Sequence, residues 1–181
     1  MSEPHDHVDE IIAQWRRERP ELDVAPLGVY GRLFRVVHLS DQELAKGLEQ
    51  YGLQQGWFDL LAALRRAGAP YELNPTSLMR ATLLSSSGMT KRLDRMEDVG
   101  LIERRPDPND RRGTLVRLTR RGRSVIDRAV ETHVEKEERL LAALTPAERR
   151  TLDRLLKSLL IELERAERNS GEASSNVPAR R

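Results

Sequence analysis

Apolar side chains recur every three to four residues through most of the chain, which is the spacing of one face of an α-helix. Residues 101–105 and 114–118 are instead two short β-type runs, and Pro and Gly interrupt the stretch between them. The pattern predicts a mostly α-helical protein with one small β-hairpin, whose strands are Leu101–Arg105 and Thr114–Leu118. The predicted helices cover residues 8–19, 24–51, 54–67, 76–83, 86–99, 119–144 and 145–168.

Capping residues mark two of the helix starts. Asn74 is a favourable N-cap, and Pro75 suits the first helical position because proline lacks the N–H that would be unpaired there. Thr145 and Pro146 repeat this arrangement, and Glu148 completes a capping box. Residues 1–7 and 169–181 are polar and are predicted to be disordered tails.

The two ends of the helical region carry apolar faces that need a cover. The first helix has a stripe that includes Trp15, and the last has a leucine face too wide for an ordinary surface helix. Such a face suits pairing with the helices of a second copy. The leucines of this face are Leu152, Leu155, Leu156, Leu159, Leu160 and Leu163.

The helix at 86–99 is the candidate for nucleic-acid recognition. On a helical wheel, Met89, Leu93 and Met96 share one side, whereas the other side mixes hydroxyl, cationic and carboxylate groups that suit phosphates and base edges. A basic hairpin follows, as in a winged helix-turn-helix, where the helix enters the major groove and the hairpin reaches the minor groove or backbone. A solvated helix face is the alternative. The expected DNA contacts are Ser86, Ser87, Thr90, Lys91, Arg95 and Arg111.

The hairpin tip carries carboxylates beside arginines, an unusual choice for a DNA contact. We interpret Asp110 and Arg112 as holding the turn together, which leaves Arg111 to enter the minor groove. Arg92 is also unusual, because it falls beside the apolar side of the helix and is expected to point back toward the scaffold.

Charge is concentrated in this region. Residues 90–123 contain eleven Lys or Arg and six Asp or Glu, a net charge of +5, whereas the whole chain carries only +2. The remainder therefore carries −3, and the basic patch lies on a mildly acidic body. Such a patch favours binding to phosphates, because binding releases their counterions.

Composition excludes several functions. The 181 residues include no Cys, so disulfides, thiol catalysis and thiolate metal sites are excluded. No catalytic triad order or Gly-rich phosphate loop is present, and His5 and His7 lack further ligands, so neither an enzyme nor a metal site is expected. No apolar run approaches the ~20 residues that span a bilayer. The polar N-terminus is not a secretory signal, so the chain is expected to be cytoplasmic.

Residues 24–168 resemble the MarR family of bacterial regulators. The resemblance rests on the helix order, the helix-turn-helix at 75–99 and, most specifically, the wing sequence RRPDPNDRRGTLVRLTRRG. It implies a homodimer of winged helices that binds palindromic promoter DNA and usually represses. It also implies that a small ligand, often aromatic or anionic, weakens the binding of the protein to DNA. By this resemblance, residues 8–52 are N-terminal dimerisation helices, 53–118 the DNA-binding lobe and 119–168 C-terminal dimerisation helices.

A narrower resemblance concerns family members that respond to urate and related anions. They carry an extra N-terminal helix with a Trp, an Asp before the helix-turn-helix, and one Arg each on the recognition helix and the wing. Trp15, Asp59, Arg92 and Arg104 occupy similar places here. The alternative is that Trp15 is core and Asp59 forms a plain salt bridge with one of the arginines. For the protein as a whole, the alternative is a sequence-tolerant architectural DNA-binding protein without an effector.

Overall fold

Seven helices and three strands make up the described part of the chain. The computed structural model describes residues 4–82 and 88–175. The helices are α1 (His7–Glu18), α2 (Ala25–Glu49), α3 (Gln55–Arg66), α4 (Pro75–Arg80), α5 (Met89–Asp98), α6 (Arg120–Leu140) and α7 (Pro146–Ser175). The strands are β1 (Glu72–Leu73), β2 (Ile102–Asp107) and β3 (Asp110–Leu118). The predicted winged helix-turn-helix fold, mostly α with a small β wing, is confirmed.

The three strands form an antiparallel sheet in the order β1-β3-β2. The hairpin strands are longer than predicted, because β2 runs through Pro106 and β3 begins at Asp110. Proline is tolerated there because β2 lies at the edge of the sheet, where a missing N–H need not break the ladder. A register irregularity follows at Pro106 and Asp107, so the hairpin closes through a shorter turn than the sequence indicated.

A single apolar core joins α3 to the helix-turn-helix, the sheet and the first part of α6. Helix α3 is almost entirely buried from Leu60 to Leu64 because it lies between these elements. Met96 of α5, Val116 of β3 and Ile126 of α6 are each fully buried in the same cluster. This core therefore sets the position of the recognition helix and the wing.

Helix α1 packs on α2 through a second, smaller cluster of Val8, Ile12 and Val24. Asp6 caps α1, accepting hydrogen bonds from the amides of Val8 (2.8 Å) and Asp9 (3.0 Å). Arg32 of α2 donates to the same Asp6 carboxylate at 2.8 Å. The prediction of a disordered tail over residues 1–7 is therefore wrong for Asp6 and His7, because a capping box and an ion pair order them.

Two other helix ends differ from the predictions. Helix α4 ends at Arg80, earlier than expected. Helix α7 continues through Ser175, so residues 169–175 are helical rather than a disordered tail. Extending an existing helix adds one hydrogen bond for each residue fixed, so a polar sequence without proline can prolong it.

The chain divides into two compact units at Glu137 and Glu138, within α6. In the first unit, α2 presents apolar side chains to solvent, and Phe34 is 73% exposed. In the second unit, α7 exposes Leu155, Leu160 and Leu163 in the same way. Among the described residues, no helix has the length and apolar content needed to cross a membrane.

Candidate nucleic-acid interface

Helix α5 separates its two faces as the periodicity predicts. Met89, Leu93 and Met96 are buried in the core, whereas Lys91 and Arg95 are exposed. Thr90 is exposed on the same side. One hydroxyl and two cations therefore face solvent on a helix whose other side is fixed by packing, which suits contact with phosphates and base edges.

The start of α5 differs from the prediction. Gly88 is the N-cap and has a φ of 76°, so the helix begins at Met89 and not at Ser86. Glycine suits this position because a left-handed backbone costs it nothing, whereas a residue with a Cβ is strained there. Ser86 and Ser87, the expected phosphate contacts, lie outside the described residues.

The wing tip is held by its own carboxylates. Asp110 accepts a hydrogen bond from the backbone amide of Arg112 at 2.9 Å, and Asp107 accepts one from the amide of Asn109 at 2.9 Å. Both contacts close turns, as short acidic side chains commonly do. The Arg112 side chain is exposed, and the side chain of Arg111 lies outside what the structure describes.

Arg104 of β2 binds back onto α5. Its backbone amide and Nη1 donate to the two carboxylate oxygens of Glu97, each at 2.8 Å, and Nη2 donates to Asp94 Oδ1 at 2.7 Å. Burial alone would lower the pKa of Arg104, but the hydrogen bonds to Asp94 and Glu97 outweigh it, so the pKa is raised. Helical periodicity shows only that Asp94 lies on the polar side of α5, so this pairing could not be predicted from the sequence.

Asp59 lies half-buried on α3. Burial raises the pKa of its carboxyl group above the usual value. The hydrogen bond from Gln55 Nε2 at 3.1 Å and the charges of His133 and Arg66 act in the opposite direction without cancelling the effect of burial. A carboxylate kept in an unfavourable setting is common at functional sites.

Arg92 lies beside an indole different from the expected one. A hollow of about 230 Å³ is bordered by Trp57 of α3 and Gln54, the residue before α3, together with Lys91, Arg92 and Arg95 of α5. Trp15, by contrast, lies on α1 and is 44% exposed, so it is not a core residue. Helical spacing in the sequence marks Trp57 only as an apolar position and does not reveal its place beside the cations.

Comparison with known proteins places this geometry in a family. A MarR family sequence model matches residues 51–113, which include α3, α4, α5 and most of the wing. The HTH-type transcriptional regulator PecS of Dickeya dadantii is 44% identical over 149 residues, covering 82% of this chain and 90% of PecS. The chain belongs to the MarR family of transcriptional regulators.

Solved MarR family structures share the fold. AbsC of Streptomyces coelicolor superposes with a TM-score of 0.71 at 26% identity, covering 79% of this chain and 97% of AbsC. A mutant of Escherichia coli MarR, solved in complex with operator DNA, gives a TM-score of 0.66 at 28% identity, covering 86% of this chain and 99% of that one. This member of the MarR family is accordingly a DNA-binding regulator, and these relatives are regulators rather than enzymes.

The four residues predicted to bind an anion lie on four elements of this MarR family fold. Trp15 is on α1, Asp59 on α3, Arg92 on α5 and Arg104 on β2. Arg104 binds Asp94 and Glu97 of α5, and Asp59 accepts from its helical neighbour Gln55. The salt bridges of Arg104 are therefore with α5, not with Asp59 as the structural alternative suggested.

A cleft between α3 and α6, which the sequence analysis did not identify, adds to these candidates. It measures about 770 Å³, with Phe58 and Val130 among its apolar residues and Arg65 and Glu137 among its charged ones. His133 stacks on Phe58 with ring centroids 4.4 Å apart. Its Nδ1 is buried without a hydrogen-bond partner. His133 and Glu137 lie one helical turn apart on α6, with His133 Nε2 3.5 Å from Glu137 Oε1.

We expect Asp59→Asn to stabilise the protein at neutral pH. Because burial raises the pKa of Asp59 in the folded state, the protonated carboxyl group contributes its full stabilisation below the ordinary pKa of aspartate, about 3.9. That contribution is lost as pH rises through the raised pKa of the folded state. Urea unfolding of both proteins at pH 4.5 and 7.5 should give a larger advantage to the variant at pH 7.5. If the stability advantage of the variant at pH 7.5 were equal to or smaller than that at pH 4.5, the proposed effect of burial would be contradicted.

Proposed function

We propose that the protein is a dimeric repressor that binds palindromic DNA at its own or a neighbouring promoter and leaves it when a small organic anion binds. The observation that carries the DNA part is the geometry of α5. Its apolar side is fixed in the core, its outward side presents Thr90, Lys91 and Arg95, and an arginine-bearing hairpin follows directly. The helix suits the major groove and the hairpin the adjacent minor groove or backbone.

Exposed apolar faces support the dimer. Isolated apolar side chains are ordinary at a protein surface, but α2 and α7 each present a series of them, including Phe34, Val37, Leu155 and Leu160. A second copy of the same chain would remove them from water. Two copies related by a two-fold axis then predict half-sites about 10 base pairs apart.

Three features support an organic anion as the effector. Arg104 already binds two carboxylates, so its donors suit a planar anion. Arg92 borders a hollow with Trp57, which offers an aromatic face beside cations. Burial disfavours the charged form of Asp59 and raises its pKa, so a nearby change in charge would readily change the protonation of this carboxyl group. Trp15 completes the candidate set from α1, and urate is one anion of the required kind.

Binding to the promoter upstream of the protein's own gene tests the DNA part. We expect affinity at least about a thousandfold above that for random duplex DNA at physiological salt. A repressor also predicts lower transcription from that promoter when the protein is added in vitro. Equal affinity for all duplexes, with steep salt dependence, would instead identify a sequence-tolerant architectural protein.

Titration of urate and small aromatic carboxylates into the protein–DNA complex tests the effector part. We expect at least one of them to release the DNA, and Arg92→Ala to shift the required concentration at least about tenfold, or ~1.4 kcal/mol. Arg154→Ala, an exposed arginine of α7, is the control and should respond like the wild type. Release by none of these anions would contradict the effector, and an unchanged response in Arg92→Ala would remove that residue from the site.

A further inference from the structure

We propose that Arg104, Asp94 and Glu97 form a clasp that fixes the wing at one angle to the recognition helix, and so determine which operator spacing the protein accepts. This inference rests on the proposed use of α5 and the wing at one DNA site. The clasp joins β2 to α5 by three hydrogen bonds of 2.7–2.8 Å, all with a charged partner. Such hydrogen bonds are the strong and directional ones.

Only arginine can form this clasp as it stands. Nη1 reaches Glu97 and Nη2 reaches Asp94, so the two ends of one planar guanidinium engage two carboxylates one helical turn apart. Glu97 in turn uses one oxygen for the guanidinium and the other for the Arg104 amide. The strand backbone and its side chain are therefore both fixed to the same helix.

The position of the clasp on β2 gives it control over the wing tip. The base of the hairpin is anchored in the core by Leu101 and Ile102, which are 4% and 1% exposed. Gly100, with a φ of 70°, makes the turn between α5 and the hairpin. Pro108 lies four residues beyond Arg104, or roughly 13 Å along an extended strand. A small rotation at the clasp would therefore displace the tip along the DNA.

The clasp also explains why carboxylates are tolerated on a helix that faces DNA. Asp94 and Glu97 would repel phosphates, and Arg104 supplies the neighbouring positive charge. With the wing fixed, α5 and the hairpin contact positions a set distance apart. We therefore infer that these three side chains are positioning residues, acting on specificity rather than by touching the bases.

Operator spacing is the measurement that tests the clasp. Wild-type protein first selects its preferred duplex from random-sequence DNA, and footprinting locates the positions protected by the helix and by the wing. A second duplex carries one extra base pair between them. We expect wild-type protein to prefer the original duplex at least tenfold, a difference of about 1.4 kcal/mol, and Arg104→Lys, which keeps the charge but loses the fork, to reduce that preference to about threefold or less.

Two control variants accompany the test: one preserves charge, as Arg104→Lys does, and the other removes one negative charge, as Asp94→Asn does. Arg117→Lys alters a neighbouring strand arginine, and Asp98→Asn alters an exposed carboxylate of α5, so both should keep the wild-type preference. Asp94→Asn breaks one arm of the clasp at an exposed position and should lower the preference even if Arg104→Lys folds poorly, which thermal melting would reveal. The clasp would be overturned if Asp94→Asn kept the full wild-type preference for the original duplex over the lengthened one. It would also be overturned if the wild type showed no such preference. Selection that enriches no sequence would instead overturn the proposed function, and the clasp with it.

Discussion

Replacing Arg95 with Ala is expected to weaken operator binding by roughly 30-fold to 10⁴-fold. A good side-chain contact with a base is worth about 1–3 kcal/mol, and a dimer loses it in both half-sites, which gives about 2–6 kcal/mol in total. Arg95 is exposed on α5, opposite the buried Met89 and Leu93, so its removal should leave the fold intact. Fluorescence anisotropy with labelled operator measures the change.

The same titration distinguishes the two ways in which Arg95 could contact DNA. If it reads a base, the variant should lose discrimination at one base pair of each half-site. If it binds a phosphate, affinity should fall about equally for all sequences, and the salt dependence should weaken by about one ion for each phosphate that is no longer neutralised. Arg150→Ala, an exposed arginine on α7, should match the wild type. Operator affinity of Arg95→Ala within twofold of wild type would contradict recognition through this face.

Helical periodicity predicted the elements well because packing imposes it. The burial of Met89, Leu93 and Met96 and the exposure of Lys91 follow from one wheel, and this is the division found. The capping box at Thr145 was equally readable, since Glu148 both accepts from the Thr145 amide at 2.8 Å and donates its own amide to the Thr145 hydroxyl at 3.3 Å. These are local features, decided by residues within four positions of each other.

The partner of Arg104 was not readable in the same way. Periodicity places Asp94 and Glu97 on a helix face, but it does not show where the following strand returns. That direction depends on the turn at Gly100 and on the burial of Leu101 and Ile102. The hydrogen bonds of Arg104 to α5 follow from these tertiary contacts. The same limit applies to Trp57, whose place beside Arg92 depends on how α3 packs against α5.

Gly122→Ala is expected to destabilise the protein by about 3 kcal/mol or more. A Cβ built at Gly122 would lie 1.9 Å from the carbonyl oxygen of Leu101 and 2.9 Å from its carbonyl carbon. Both are backbone atoms of a buried residue, so no side-chain rotation can relieve the clash. Overpacking typically costs about 1–3 kcal/mol, and a backbone clash lies at or above the top of that range. Alanine's better helix propensity returns at most about 1 kcal/mol.

Calorimetry measures this effect as a fall of about 6–12 °C in melting temperature. Ser124→Ala is the control, because Ser124 is exposed on the same helix and its change to alanine should leave the melting temperature nearly constant. A shift below about 2 °C in Gly122→Ala would contradict the close approach of α6 to Leu101.

The damage should extend from stability to DNA binding. The Leu101 carbonyl accepts from the Thr119 amide at 3.2 Å, and the Thr119 hydroxyl donates to the Gly100 carbonyl at 2.7 Å. A Cβ at Gly122 therefore pushes on the turn that sets the direction of the wing. Operator affinity of the folded variant, measured well below its melting temperature, should fall about tenfold or more, or ~1.4 kcal/mol, whereas Ser124→Ala should bind like the wild type. Reduced stability with unchanged affinity would show that the turn moves without carrying the wing with it.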